Sequence, residues 1–216
     1  MALQRVRPEE IEKRSMEIIR GELEGLGPLP PADRLPVVER VIHTTADFGF
    51  RESLFFSPGA VAAGVAALKK GAWVVTDTNM ARAGVSQSAL DRLGGQVRCF
   101  MAEPEVARAA KDRGETRATL SMEAAAALDT GGAPLILAIG NAPTALVRAR
   151  QLLEEGTLSP ALVIGAPVGF VNVVESKELW LDAPCPRIIA RGRKGGSAVA
   201  AAIVNALLYQ AIERTL

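Results

Sequence analysis

The chain carries one histidine, His43, in the segment RVIHTTADFGF. Histidine is the side chain whose ordinary titration range spans neutral pH, so His43 is the natural candidate for a proton donor; the plain alternative is a packed or surface histidine. Glu39 precedes it by four residues, which puts both on one face of a helix. In contact, that carboxylate would favour the imidazolium; otherwise Glu39 is simply solvated. A sole histidine with no Ser/His/Asp arrangement argues against a hydrolase triad. Arg117 follows Thr116 at an expected helix start, where its guanidinium either grips a carboxylate with two parallel hydrogen bonds or lies on an amphipathic surface. Arg191 and Arg193 carry the same alternatives, and their glycine neighbours tilt both towards a ligand. The Ser15 hydroxyl bonds either a substrate or its own preceding helical turn. Asp77 and Thr78 come directly after an expected strand and face a crevice or cap the next helix; Asn141 and Thr144 in GNAPTAL pose the same choice. Phe48, Phe50, Phe55 and Phe56 either wall a flat apolar ligand or fill the core. Glu175, Ser176 and Lys177 receive no catalytic role, a dimer contact being their alternative use.

Positioning such residues calls for a parallel α/β sheet. From residue 72 onward the apolar runs AWVVT, QVRCFM, PLILAI, ALVIG and RIIA alternate with amphipathic helical stretches, and most lack the polar alternation of a strand with one wet face. Five parallel strands with helices on both faces are expected. Helices are expected over 79–93, over 103–128 with a break near Gly114, and over 143–155, 172–180 and 196–214. Residues 1–70 read as helical without strands. One helix opens at Pro8, a second runs from Pro36 through His43, and a third covers Phe55 to Lys70 with Ser57 as N-cap and Pro58 at the first helical position. The length suits one domain spanning 1–216, its helical part at 1–70 and its α/β part at 71–216.

In such a sheet ligands gather where strands end and helices begin. The junctions VVTDTNMARAG, LAIGNAPTAL, VIGAPVGFVNVVESK and IIARGRKGGSAVAAA are rich in glycine and short polar residues, and they are expected to share one rim. Glycine lets backbone approach closely and helix N-termini offer free N–H groups to anions. A nucleotide fits poorly: DTNM stands where the GxGxxG turn belongs, and GRKGGS lacks the GxxxxGK[ST] order. An anion with carboxylates spread around a broad apolar body uses scattered junctions better.

Composition closes other classes. Lysine and arginine number 25 against 24 acidic residues, so no overall field draws nucleic acid or an anionic membrane. Cys99 and Cys185 have no metal or CxxC spacing and read as reduced core thiols. The charged start lacks the apolar core of a signal peptide, and SAVAAAIVNALLYQAI is interrupted by Asn205 and Gln210, so a cytoplasmic protein is expected.

AIGNAPTAL, GAPVGFVNVVESKE and RGRKGGSAVAAA, with RSMEIIR near the start, VIH at 41–43 and FSP at 56–58, resemble the precorrin-8X methylmutase family, also called precorrin isomerase or cobalt-precorrin-8 methylmutase. The resemblance runs in the same order through nearly the whole chain. It implies a flavodoxin-like sheet of strand order 2-1-3-4-5, a homodimer, and a tetrapyrrole site between the sheet rim and the N-terminal helices. It also implies an isomerase of cobalamin biosynthesis that moves a methyl group from C-11 to C-12 of the corrin precursor, giving hydrogenobyrinate or its cobalt-bearing counterpart, with no cofactor and no metal of the protein's own. On the matching positions His43 is the acid, and Ser15 and Arg117 contact the substrate. TTADFGF and TDTNMARAG keep only part of the pattern of the aerobic enzyme, which leaves open whether the substrate carries cobalt. The rival reading is a non-catalytic carrier of a corrin intermediate, for which His43 would be dispensable.

Overall fold

The computed structural model describes residues 6–214. After a short 3-10 turn at Pro8–Glu10 come α1 (Ile11–Gly25), α2 (Leu35–Thr45), α3 (Phe50–Ser53), β1 (Leu54–Phe56), α4 (Ala60–Lys69), β2 (Trp73–Thr76), α5 (Asn79–Gly84) and α6 (Gln87–Arg92). They are followed by β3 (Gln96–Cys99), α7 (Pro104–Arg113), α8 (Arg117–Ala126), β4 (Leu135–Ile139), α9 (Pro143–Glu154), β5 (Leu162–Gly165), α10 (Val173–Glu178), β6 (Arg187–Ala190) and α11 (Ser197–Ala211). The strands form one mixed sheet in the order β1-β6-β5-β4-β2-β3. β2 pairs in parallel with β3 and β4, β4 with β5, and β5 with β6.

Two departures from the sequence reading lie in the first third. The sheet has a sixth strand, β1, antiparallel to β6 with Phe55 opposite Ile189. The expected helix over Phe55 to Lys70 therefore begins only at Ala60, after Gly59 in the left-handed region at φ 71°. Ser57 is no helix cap. Its N–H donates to the Arg187 carbonyl at 3.0 Å and its hydroxyl accepts from the Arg187 N–H at 3.0 Å, extending the ladder by one residue. Local N-cap and proline signals were overridden here by an open sheet edge that phenylalanines suit well.

Every residue of β4 is buried, and alternate side chains serve opposite layers. Ile136 and Ala138, with Ile164 and Ile188 beside them, meet side chains of α1, α2, α4 and α11. Leu137 and Ile139, with Val163 and Ile189, meet those of α7, α8 and α9. Near-continuous apolar strand sequence is the consequence of this double cover. α11, a long and almost wholly buried apolar helix, packs on α2, α4 and α5. Its polar interruption is structural: the Asn205 amide donates to the Gly84 carbonyl at 2.8 Å and accepts from the Ser86 N–H at 2.8 Å, bracing the turn that splits residues 79–93 into α5 and α6. Among the described residues no helix is long and apolar enough to cross a membrane. Cys99 and Cys185 are free, and burial pushes both thiols up, away from reactive thiolate.

Candidate active site

The glycine-rich junctions meet at the carboxyl edge of the sheet. Asp77, at the end of β2, is fully buried, and its carboxylate accepts from the N–H groups of Gly140, Asn141 and Ala142 at 2.9, 2.8 and 2.7 Å. Burial pushes this carboxyl up, against the pull of those three donors. Thr78 caps α5, accepting from the Ala81 N–H at 3.0 Å, and its hydroxyl lies 2.7 Å from that of Ser197 at the start of α11. A Cβ on Gly140 would sit 2.7 Å from Cα of Ser197, so only glycine lets the second and fourth junctions touch. The Gly196 N–H donates to the Ala166 carbonyl at 2.7 Å, which ties the fourth junction to the third. The single rim expected from the sequence is thus present. Asp77 and Thr78, however, spend their side chains on building it: Thr78 takes the capping alternative, whereas Asp77 neither caps α5 nor faces the crevice but holds the backbone before α9, and neither aims a free polar group outward.

One side of the rim is cationic and open. Thr116 caps α8 and meets the exposed Thr144 hydroxyl of α9 at 2.9 Å, which brings Arg117, Thr144 and the exposed Asn141 to neighbouring helix starts. Arg117 is exposed, with no carboxylate partner among the described residues. Here the protein has a cavity of about 730 Å³ that Thr116, Thr144, Arg113, Arg148 and Val171 help to line. Arg113 is already engaged by Glu115 and Glu123, and Arg148 by Glu123 and Glu155.

The loop after β6 carries the other cations. The Arg191 guanidinium donates to both carboxylate oxygens of Glu178, at 3.0 and 3.1 Å. Arg193 has no carboxylate partner among the described residues and lies over the Phe170 ring, 5.4 Å from its centroid. Lys194 reaches Asp47, with Nζ 2.7 Å from Oδ2. Asp47 also accepts from the Gly49 N–H at 2.9 Å, and these bonds, that to Lys194 first, hold its carboxyl below the usual range. This bridge joins the rim to the turn that ends α2. His43 occupies the last turn of α2, exposed and free of hydrogen-bond partners among the described residues, four residues before Asp47.

Several sequence expectations resolve differently. Glu39 is buried and is claimed by Arg20, with bonds of 2.7 and 2.9 Å, so it does not serve His43. Ser15 donates to the Ile11 carbonyl at 2.9 Å, the alternative of its own preceding turn, and lies on α1. Phe50 and Phe56 are buried, and Phe48 and Phe55 pack against the core, so none of them is an open wall. The exposed apolar surface at the rim belongs instead to Phe170 and Val171, 82% and 78% accessible. Sequence reasoning missed both, as it missed Asp47. An aromatic alone inside the Gly/Pro loop GAPVGFVN, and an acid one helical turn past the only histidine, were the signals available. Among the described residues no group of three or more His, Cys, Asp or Glu could hold a metal ion.

The chain has relatives along nearly its whole length. The model of the precorrin-8X methylmutase family matches residues 10–210, a span that includes α2 and every junction of the rim. The cobalt-precorrin-8 methylmutase of Priestia megaterium is 43% identical over 203 residues, 94% of this chain and 88% of that one. The precorrin-8X methylmutase of Pseudomonas aeruginosa is 41% identical over 199 residues, 91% of this chain and 93% of that one. The crystal structure of a precorrin-8x methyl mutase from Thermus thermophilus superposes with a TM-score of 0.85 at 38% identity, covering 95% of this chain and 97% of that one. Likeness at this level, through nearly the full length of each partner, means that the chain belongs to the precorrin-8X methylmutase family.

Proposed function

We propose that this protein is the intramolecular methyl-transferring isomerase of cobalamin biosynthesis that acts on precorrin-8X or cobalt-precorrin-8, with His43 as its acid. Family membership supports the catalytic reading over a passive carrier. The methyl group already belongs to the substrate: its bond to C-11 breaks as its bond to C-12 forms, and product and substrate are isomers. No external donor enters that balance. A proton lent by the imidazole to a ring nitrogen or a nearby conjugated position polarises the π-system and is returned after migration. Help of this kind is worth on the order of a hundred- to ten-thousandfold.

The observation that carries the assignment of His43 is the Lys194–Asp47 bridge, which ties the exposed turn of the only histidine to the glycine-rich rim. Arg117 and Arg193, exposed and without carboxylate partners among the described residues, suit peripheral carboxylates of the macrocycle, and Asn141 and Thr144 suit the same edge. Arg191 joins them by exchanging Glu178 for substrate, and Ser15 by rotating its hydroxyl from Ile11. Asp77 and Thr78 support binding from beneath by holding the junction backbones. We read residues 1–216 as one domain of flavodoxin-like order, supported by the succession β3-β2-β4-β5-β6, and as a homodimer in line with the family resemblance.

The test is the visible absorption spectrum of the protein mixed anaerobically with metal-free and with cobalt-bearing precorrin-8, for wild type and His43→Ala. Conversion by wild type, with bound but unconverted substrate in the variant, is expected. Equal conversion by both would remove His43 from the chemistry, and binding without conversion in both would leave a carrier.

A further inference from the structure

Lys177 is the one lysine among the described residues that is fully buried, and the reaction as drawn above makes no use of it. Burying an ammonium is costly unless its hydrogen bonds are replaced. No carboxylate replaces them: among the described residues Lys177 has no ion pair. Its Nζ donates instead to the carbonyls of Gly192 and Lys194, at 2.8 and 2.9 Å. The carbonyl between them, that of Arg193, accepts from the Gly169 N–H at 3.2 Å. Three successive carbonyls of the loop after β6 are therefore held, two of them by one side chain. The next residue of the same helix, Glu178, holds Arg191 of that loop from outside. The loop needs such fixing, since Gly192 and Gly196 stand in the left-handed region at φ 74° and 126°.

We propose that Lys177 is a positioning residue of the isomerase: from beneath the 191–196 loop it sets Arg193 for the substrate's carboxylates, and through Lys194 and Asp47 it steadies the turn that bears His43. Ammonium suits the place because it spans two carbonyls two residues apart, and its charge lies under a surface that receives anions. Burial lowers its pKa to about 8, so it is still mostly protonated at neutral pH. The proposal rests on the function proposed above.

The experiment measures the affinity of the product, hydrogenobyrinate or its cobalt-bearing counterpart, by absorption titration for wild type, Lys177→Met, Arg193→Ala and the double variant, with folding checked by circular dichroism. Lys177→Met is expected to weaken binding about tenfold, the effect of two buried carbonyls losing their donor and the loop shifting. In the Arg193→Ala background the same substitution should cost markedly less, because its effect passes in part through Arg193. Lys177→Gln, which keeps donors for one carbonyl, should recover part of the affinity. Unchanged affinity in a folded Lys177→Met protein, or losses that simply add, overturns the proposal. So does failure of both Lys177 variants to fold, which would make the lysine a residue of the fold alone. A wild type that binds neither hydrogenobyrinate nor its cobalt-bearing counterpart would instead refute the function on which the inference rests.

Discussion

The ammonium of Lys194 sits 2.7 Å from the Asp47 carboxylate and thereby fastens the loop after β6 to the turn after α2. Its two ends are unequal: Lys194 is 60% exposed in its side chain, Asp47 33%. A pair so open to solvent contributes little to stability, about 1 kcal/mol or less. Its weight lies in geometry, because the residues flanking it are the proposed acid and the proposed carboxylate-binding arginine.

Asp47→Asn should accordingly leave the melting temperature nearly unchanged while lowering kcat by about tenfold, the scale on which small misplacements of a catalytic group act. Steady-state kinetics beside a thermal melt checks this. A large loss of stability with kcat intact would show that the bridge holds the fold and not the acid. The bridge should also persist in mild acid. Asp47's pKa is depressed in the folded protein, so its contribution is present above the ordinary carboxylate range and is lost only as pH falls through the lowered value.

Asp77→Asn tests the rim from beneath. The carboxylate takes N–H donors from three consecutive residues, and an amide in its place offers only one accepting oxygen while turning its own N–H groups towards donors. A loss of about 1–3 kcal/mol is expected, read as a lowered denaturant midpoint at unchanged slope. A neutral result would mean that the junction before α9 holds itself.

How much of this was legible beforehand follows from where each signal came from. Strands β2, β4, β5 and β6 announced themselves as short apolar runs because both faces are covered, β3 by its apolar continuation QVRCFM at the sheet edge, and the rim followed from the glycines at the strand ends. β1 did not: three residues at a sheet edge leave no periodic trace, and FSPG beside them spells a helix start. Among the site residues, His43 and Arg117 are exposed, which suits a ligand contact and a surface residue alike. For Asp77, Thr78 and Glu39 sequence named the right neighbourhood but not the partner, since Gly140, Ser197 and Arg20 lie 63, 119 and 19 residues away. Lys177 was illegible for the opposite reason: VESKE suggests at most a dimer contact, and only the loop folded over the lysine makes it buried.

Glu39→Gln should leave the pH–rate profile where it is. Glu39 and His43 share the helical spacing of an acid–base pair, yet the carboxylate is turned to Arg20 and held by two bonds. The expected cost falls on stability instead, about 1–2 kcal/mol after allowing for the half-exposed Arg20 side chain. A displaced acidic or basic limb in the profile of kcat/KM would restore Glu39 as a partner of the acid.

Alkaline pH should relieve the cost of burying Lys177. Its pKa falls from 10.5 to about 8 on folding because burial disfavours the ammonium. Between those values the unfolded chain binds more protons than the folded one, so stability from this group rises with pH across the interval and is lost as pH falls through about 8. Lys177→Met has no such term. The difference in melting temperature between wild type and the variant should therefore move in favour of wild type from pH 7 to pH 10, by roughly 3 °C or more for a chain of this size. Other groups titrate in the same range, but they are common to both proteins and cancel in the difference. A difference that stays constant with pH would mean that the ammonium is as well solvated when folded as when unfolded. The two carbonyl bonds would then have to account for its burial alone.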